Sequence, residues 1–323
     1  TPAAAEDFYK GKSVTLFIDA GGGSYESYAR LLAQYMPRYI PGQPAIVVKQ
    51  MLGASGLRLT NYMYNVAPKD GTEIAGVHAQ IPTQPLFSRQ GIQYNPDELS
   101  WIGNLTRETF VEYVWHTSPV QSIADSRAKE AIIGGQAPGS MSIDTAILSN
   151  AIIGTKFKIV TGYSGLPETL LALERGEING GVGAYGEFVS AKPDWLKDGK
   201  IKFIAQLGLQ KNNNIPDVPL LIDLIATPGD RRAMELFLSR GVTGKPYFAP
   251  PGLPKDRLAI LRSAFDSAVK DPDLLADAAK QRFEINEPMN GVDLADFVAK
   301  ENATPLSAVQ RINEAFAQYT SAQ

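Results

Sequence analysis

Apolar positions along the chain change period in a regular order. Ser13-Val14-Thr15-Leu16-Phe17-Ile18 is a short apolar run of strand type, and Ala29, Leu31, Leu32, Tyr35 and Met36 then recur at helical spacing. Pro37 and the Pro41-Gly42-Gln43-Pro44 stretch stop that helix. Ala45-Ile46-Val47-Val48 predicts the next strand and 56–65 the next helix, and Ala67-Pro68-Lys69-Asp70-Gly71-Thr72 turns into a strand over 73–77. A second series starts at Glu112-Tyr113-Val114-Trp115 and predicts strands over 131–133 and 157–160 with helices over 142–150 and 166–175. Short strands follow at 180–182 and 201–205. Beyond Thr227-Pro228-Gly229-Asp230 the period is helical, with amphipathic stretches at 255–270, 292–300 and 305–319. Pro250-Pro251-Gly252-Leu253-Pro254 leads rigidly into the first of these, with Pro254 at its first helical position.

Strand, crossover helix and strand repeated in this way require parallel pairing, hence α/β sheets. Two series predict two domains, in agreement with a length of 323 residues. A helical tail with one or two strands is too thin to stand alone, so it returns to the first sheet. The expected division is 1–112 with 237–323 as domain I and 113–236 as domain II, with crossings near 110–116 and 237–246.

Composition narrows the function. The chain is 44% hydrophobic and 20% charged, enough to bury a core without a staple, and it has no cysteine. That excludes disulfides, Cys-ligated zinc, iron–sulfur clusters and thiol nucleophiles. Net charge is −3 and no basic block stands out, which argues against nucleic acid as a partner. No apolar run approaches the ~18 residues needed to span a bilayer. The small, polar Thr1-Pro2-Ala3-Ala4-Ala5-Glu6-Asp7 has the character of a flank left after signal-peptide cleavage, which would mean export, and equally of an ordinary frayed terminus.

Four strand-to-helix junctions are glycine-rich: Asp19-Ala20-Gly21-Gly22-Gly23-Ser24-Tyr25, Gly53-Ala54-Ser55-Gly56, Gly134-Gly135-Gln136-Ala137-Pro138-Gly139-Ser140 and Gly162-Tyr163-Ser164-Gly165. Each falls where a strand's carboxyl end meets a helix N-terminus, the ligand side of an open α/β sheet. Free backbone N–H groups and the helix dipole favour an anion there, and Ser24, Ser55, Ser140 and Ser164 add hydroxyls. The alternative is that the glycines permit tight turns and the serines are N-caps. Nucleotide binding fails on pattern: Ser140-Met141 stands where a phosphate loop needs Lys-Ser/Thr, and Gly21 to Glu26 lacks the third glycine of a dinucleotide fingerprint. His78 and His116 are the only histidines and have no metal-ligand spacing, and no Gly-x-Ser-x-Gly elbow occurs. Glu26 and Asp144 in first helical turns are explained by the dipole. No cofactor, metal or catalytic residue is therefore expected.

At these loops the sequence resembles the substrate-binding proteins of the tripartite tricarboxylate transporter family, also called Bug proteins. Gly22-Gly23-Ser24-Tyr25-Glu26-Ser27-Tyr28-Ala29-Arg30 is similar to the family's Gly-Gly-x-x-Asp-x-x-Ala-Arg, and Leu52-Gly53-Ala54-Ser55-Gly56 to its Pro-Gly-Ala-Gly-Gly loop. Ala67–Thr72 resembles the Pro-Asp-Gly-Tyr-Thr turn, Gly134–Ser140 the Gly-Ser-x-Gly-x-Gly-Ser loop, and Tyr163-Ser164-Gly165 the Tyr-Lys-Gly loop. Leu173–Ile178 and Pro250–Pro254 match two further segments in the same order. The resemblance implies a two-lobed periplasmic binding protein of type II-like fold, each lobe a mostly parallel sheet flanked by helices, with a ligand cleft between the lobes. It implies a small organic acid as ligand (di- or tricarboxylate, aromatic carboxylate or amino acid), a membrane permease as partner, a monomer, and periplasmic location. Carried over, the first loop offers Gly22, Gly23, Ser24 and Tyr25, and the second-lobe loop offers Ala137, Gly139 and Ser140. His78, Ala79 and Gln80 form a third wall, Tyr163 and Ser164 a fourth, and Tyr185 an aromatic surface. Two departures stand out: Glu26 replaces the motif's Asp, and Asp19 would repel an anion if it faced the ligand. The rival functions are a sensor's extracytoplasmic subunit and an enzyme using His78 with Asp19 or Glu26.

Overall fold

The computed structural model describes residues 8–21, 23–87 and 91–321, so the segment that carried the export expectation lies outside the described residues, as do Gly22 and the side chain of Ser55. The strands in chain order are β1 (Ser13–Ile18), β2 (Ala45–Gln50), β3 (Glu73–Gly76), β4 (Ser100–Asn104), β5 (Phe110–Trp115) and β6 (Glu130–Gly134). They continue as β7 (Lys156–Val160), β8 (Gly180–Ala184), β9 (Ile201–Leu207), β10 (Pro246–Ala249) and β11 (Met289–Asn290). The chain divides into one unit of Thr1–Glu108 with Val242–Ala303 and a second of Thr109–Gly241 with Thr304–Gln323.

The first unit holds a six-stranded sheet in the order β11-β4-β10-β3-β1-β2. β1 pairs in parallel with β2 and β3, as the βαβ pattern requires, but β10 runs antiparallel between β3 and β4, and β11 antiparallel to β4. The second unit holds a five-stranded sheet, β7-β6-β8-β5-β9, parallel among β7, β6 and β8 and antiparallel where β5 joins β8 and β9. Both sheets are thus mixed rather than mostly parallel. The reason is the crossing: β5 begins just after the chain enters the second unit and β10 just after it returns. Neither of these strands is delivered by a local helix crossover, and that crossover is what forces parallel pairing.

Helices cover both faces of the first sheet. On one side Leu16, Leu32, Met36, Phe265 and Leu274 join the helices Gly23–Tyr35, Lys255–Ala268 and Pro272–Lys280 to β1. On the other, Leu59, Met63, Trp101, Phe248 and Leu294 bring in Leu57–Asn65 and Gly291–Asn302. In the second unit Leu170, Leu173, Phe188 and Trp195 pack against Val111 and Tyr113 of β5. Each such side chain contributes about 1.5–3 kcal/mol by leaving water.

Three expectations are corrected. The helix Leu306–Ser321 belongs to the second unit, not to domain I. Its buried stripe of Ala308, Val309, Ile312 and Ala315 needs an apolar face, which the helix Pro228–Leu238 supplies. Arg311 fixes the register, with Nε 2.6 Å from Asp230 Oδ1 and Nη2 donating to the Ala151 carbonyl at 3.1 Å. The domain changes fall at 108/109 and 241/242 rather than at 112/113 and 236/237. Pro254 is the N-cap, extended at ψ 133°, and Lys255 opens the helix.

One core position of the second unit carries a titratable group. Glu112 of β5 is buried; it accepts a 2.5 Å hydrogen bond from Ser149 Oγ, and its Oε2 is buried without a partner. Burial, only partly offset by Ser149, pushes its carboxyl up to about 7 from an ordinary 4.5. The folded state therefore holds a proton that the unfolded state loses, and stability present below pH 4.5 drains away as pH rises through 7, by about 3 kcal/mol in all. Glu112→Gln is expected to remove that slope, so that the variant melts above wild type at pH 8 and close to it at pH 5. Calorimetric scans at the two pH values check this.

Candidate functional site

In the first unit, register brings the glycine loops together. Ile18 ends β1 opposite Gly76 of β3 and Gln50 of β2, so the residues after all three strands emerge at one edge. Met51 N–H donates to the Ile18 carbonyl at 2.8 Å and continues that edge into the Leu52–Gly56 loop. Asp19 follows β1, and its side chain is fully buried. Its Oδ2 accepts the His78 backbone N–H at 3.1 Å and lies 2.8 Å from His78 Nδ1. Asp19 thus points into the scaffold, and the repulsion anticipated from it is removed. Gly56 makes this possible, because it sits at φ +94° and a Cβ there would lie 2.1 Å from Asp19 Oδ2.

The segment His78-Ala79-Gln80 is held on several sides. The Tyr25 hydroxyl accepts the Ala79 N–H at 3.2 Å, and its ring lies 4.2 Å from the His78 ring at a 40° tilt. Thr243 Oγ1 donates to the Ala79 carbonyl at 3.0 Å, and the Ile81 and Thr83 N–H groups close turns onto the carbonyls of His78 and Gln80. Behind Tyr25 stands Lys245, 1% exposed, with Nζ 3.7 Å from the Tyr25 ring centroid and 3.1 Å from both carboxylate oxygens of Glu108. Lys245 is a residue that sequence reasoning missed; a lysine one position before a strand signals nothing until β10 inserts beside β3. Gly23 is exposed and Ser24 half-buried at the start of the helix Gly23–Tyr35. Glu26 is engaged by Arg30 at 2.5 Å and by Gln50 Nε2 at 2.9 Å, so it serves the scaffold.

In the second unit the same construction recurs. Gly134 and Val160 end β6 and β7 in register, and their loops bond to each other. Gly135 N–H donates to the Val160 carbonyl at 3.0 Å, Gly162 N–H to Gln136 at 2.6 Å and Tyr163 N–H to Gly135 at 3.3 Å. Ala137 and Gly139 are exposed, Gly139 at φ +93° with no described atom within 4 Å of where a Cβ would stand. Its N–H, however, donates to Asp144 Oδ1 at 2.8 Å. Ser140 caps the helix Met141–Leu148 through the Ile143 N–H at 3.4 Å and donates to the Ala137 carbonyl at 2.6 Å. Ser164 N–H is taken by Glu168 at 2.6 Å. Several donors expected for a ligand are therefore satisfied within the loops. Asp144 also meets Arg240 at 3.5 Å, both almost wholly buried, and burial pushes the Asp144 carboxyl above the usual carboxylate range. Tyr185 packs edge-on to Phe203 at 5.8 Å and lines a mainly apolar cavity of about 770 Å³ with Ile123, Ile215, Val218 and Leu224.

Among the described residues no group of three His, Asp or Glu is placed to hold a metal ion, and no helix is long and apolar enough to cross a membrane.

Comparison with known proteins places this geometry. The model of the tripartite tricarboxylate transporter family receptor, TctC, matches residues 28–313. The chain belongs to that family. No curated protein matches the receptor's sequence. Its fold is similar to that of MatC from Rhodopseudomonas palustris with bound malate, at TM-score 0.69 and 20% identity over 94% of this chain and 99% of that one. It is also similar to a TctC solute-binding protein from Polaromonas (TM-score 0.70, 18% identity, 95% and 99% covered). A second R. palustris protein, solved with adipate, gives TM-score 0.69 and 20% identity over 94% and 97%. The receptor thus has the two-unit α/β fold of the periplasmic binding proteins, with mixed sheets flanked by helices.

Two substitutions separate scaffold from site. Gly56→Ala is expected to destabilise the first unit by on the order of 2–4 kcal/mol, since both the φ and the Asp19 carboxylate must yield. Ser140→Ala is expected to cost about 1 kcal/mol of unfolding free energy through the lost cap. Denaturant titration of each variant measures both.

Proposed function

We propose that this receptor works in the periplasm, captures a small organic acid, and delivers it to a membrane permease of the tripartite tricarboxylate type as a monomer. The family match over residues 28–313 carries this function. The malate and adipate bound in two proteins of the same fold, both dicarboxylic acids, support a dicarboxylate within the class of small organic acids. The first unit offers Gly22, Gly23, Ser24, Tyr25, His78, Ala79 and Gln80 at the carboxyl ends of β1 and β3. The second offers Ala137, Gly139, Ser140, Tyr163 and Ser164 at the ends of β6 and β7, with Tyr185 after β8. Open backbone at Gly139 and the half-buried Tyr25 and Tyr163 support these as contact surfaces. The burial of Asp19 supports an anionic ligand, because no carboxylate of that loop competes with it.

A thermal-shift series with malate, adipate, citrate, benzoate, glutamate and an uncharged diamide tests the function. An acid present at 100 times its dissociation constant is expected to add about 2.7 kcal/mol of stability, while the diamide adds none. A rise for the diamide equal to that for the acids would refute carboxylate capture.

A further inference from the structure

The arrangement around His78 goes further than a passive wall. Its Nδ1 is buried against the carboxylate of Asp19 at 2.8 Å, and the side chain as a whole is 30% exposed, so the accessible part of the ring lies on its other atoms. Asp19 is itself held: Oδ2 also accepts the His78 backbone N–H at 3.1 Å, and the missing Cβ of Gly56 leaves room for the carboxylate. The Asp19 carboxylate at ion-pair distance favours a proton on Nδ1 over one on Nε2, although the ring N–H is not aligned for a hydrogen bond to it. Nε2 then has two states, a neutral acceptor or, after protonation, a charged donor. The groups facing the ring are Asp19 from the end of β1 and Tyr25 from the helix Gly23–Tyr35. Lys245 lies behind Tyr25 and is already matched by Glu108. An acceptor at Nε2 would repel a carboxylate, whereas an imidazolium between Asp19 and that carboxylate is neutralised from both sides.

Resting on the receptor function above, we propose that His78 carries the positive charge that meets the ligand's carboxylate, as an imidazolium whose Nδ1 side lies against Asp19 and whose Nε2–H is directed at the ligand. The proton moves from solvent to Nε2 as the acid binds, and no covalent bond forms. Affinity for an acid therefore falls with rising pH, because binding takes up a proton. An amide of the same shape gains nothing from the proton.

Two measurements test this. In the ¹⁵N-labelled protein without ligand, the two histidines give separate imidazole signals, with His78 assigned by its loss in His78→Gln and His116 as internal reference. The neutral His78 ring is expected in the Nδ1–H form; the Nε2–H form would overturn the proposal. Calorimetric titration of the tightest acid from the thermal series, at pH 8 in phosphate and in Tris, is expected to read close to one proton taken up per ligand bound. His78→Gln should abolish that uptake, lower affinity at least tenfold at pH 6.5 and flatten its pH dependence, with an unchanged melting temperature showing that the fold survives. Binding without proton uptake would overturn the role of His78 and leave the receptor function intact. Failure of every acid to bind would overturn both.

Discussion

A carboxylate removed from water must find a donor or a cation inside the protein, or else keep its proton. Four of the buried or nearly buried carboxylates, Asp19, Glu108, Asp144 and Glu112, each meet this requirement differently. Asp19 faces the backbone and ring of His78, and Glu108 takes the ammonium of Lys245. Asp144 shares Gly139 N–H and Arg240, and Glu112 has only a serine hydroxyl and so favours its protonated form. Three of the four lie on or directly behind loops at the carboxyl ends of the sheets. The loops are therefore ordered by interior electrostatics as well as by turn geometry.

The crossing of the chain between units is the second organising feature. β10 enters antiparallel beside β3 and carries Lys245 and Thr243 to the back of Tyr25 and Ala79. Arg240, two residues before the chain returns to the first unit, reaches Asp144 beneath the second loop. A short stretch around 240–245 thus supplies a buried cation to each unit. In both, the expected ligand loops are fixed through residues adjoining the crossing, so their positions depend on where the crossing strands lie in the sheets.

Satisfied donors change the character of the second loop. Gly139 N–H and the Ser140 hydroxyl carry the expectation of direct anion contact, yet each already has an intramolecular partner. Exposed Ala137 and Gly139 backbone remains as the surface this loop presents, beside the half-buried Tyr163 of the loop after β7. In the first unit the balance is reversed: His78 holds one nitrogen against a buried acid and leaves the rest of its ring for solvent or ligand.

Sequence by itself determined the βαβ repeats, because alternation of short apolar runs with helical periods is a local property. β1 to β3 and β6 to β9 were legible from it to within a few residues, and so was the placement of four glycine loops at strand ends. The motifs' order was also sufficient to indicate the family. It could not place β4, β10 or β11, because their neighbours are distant in the chain and an antiparallel strand arriving from another unit obeys no crossover rule. Nor could it assign the helix Leu306–Ser321 to a unit, since an amphipathic stripe specifies that it must be buried but not against what. Asp19 looked like an obstacle to an anion for the same reason: whether a carboxylate faces solvent or a histidine ring is decided by the register of β1 with β3 and by the space left at Gly56, and only the folded chain sets both.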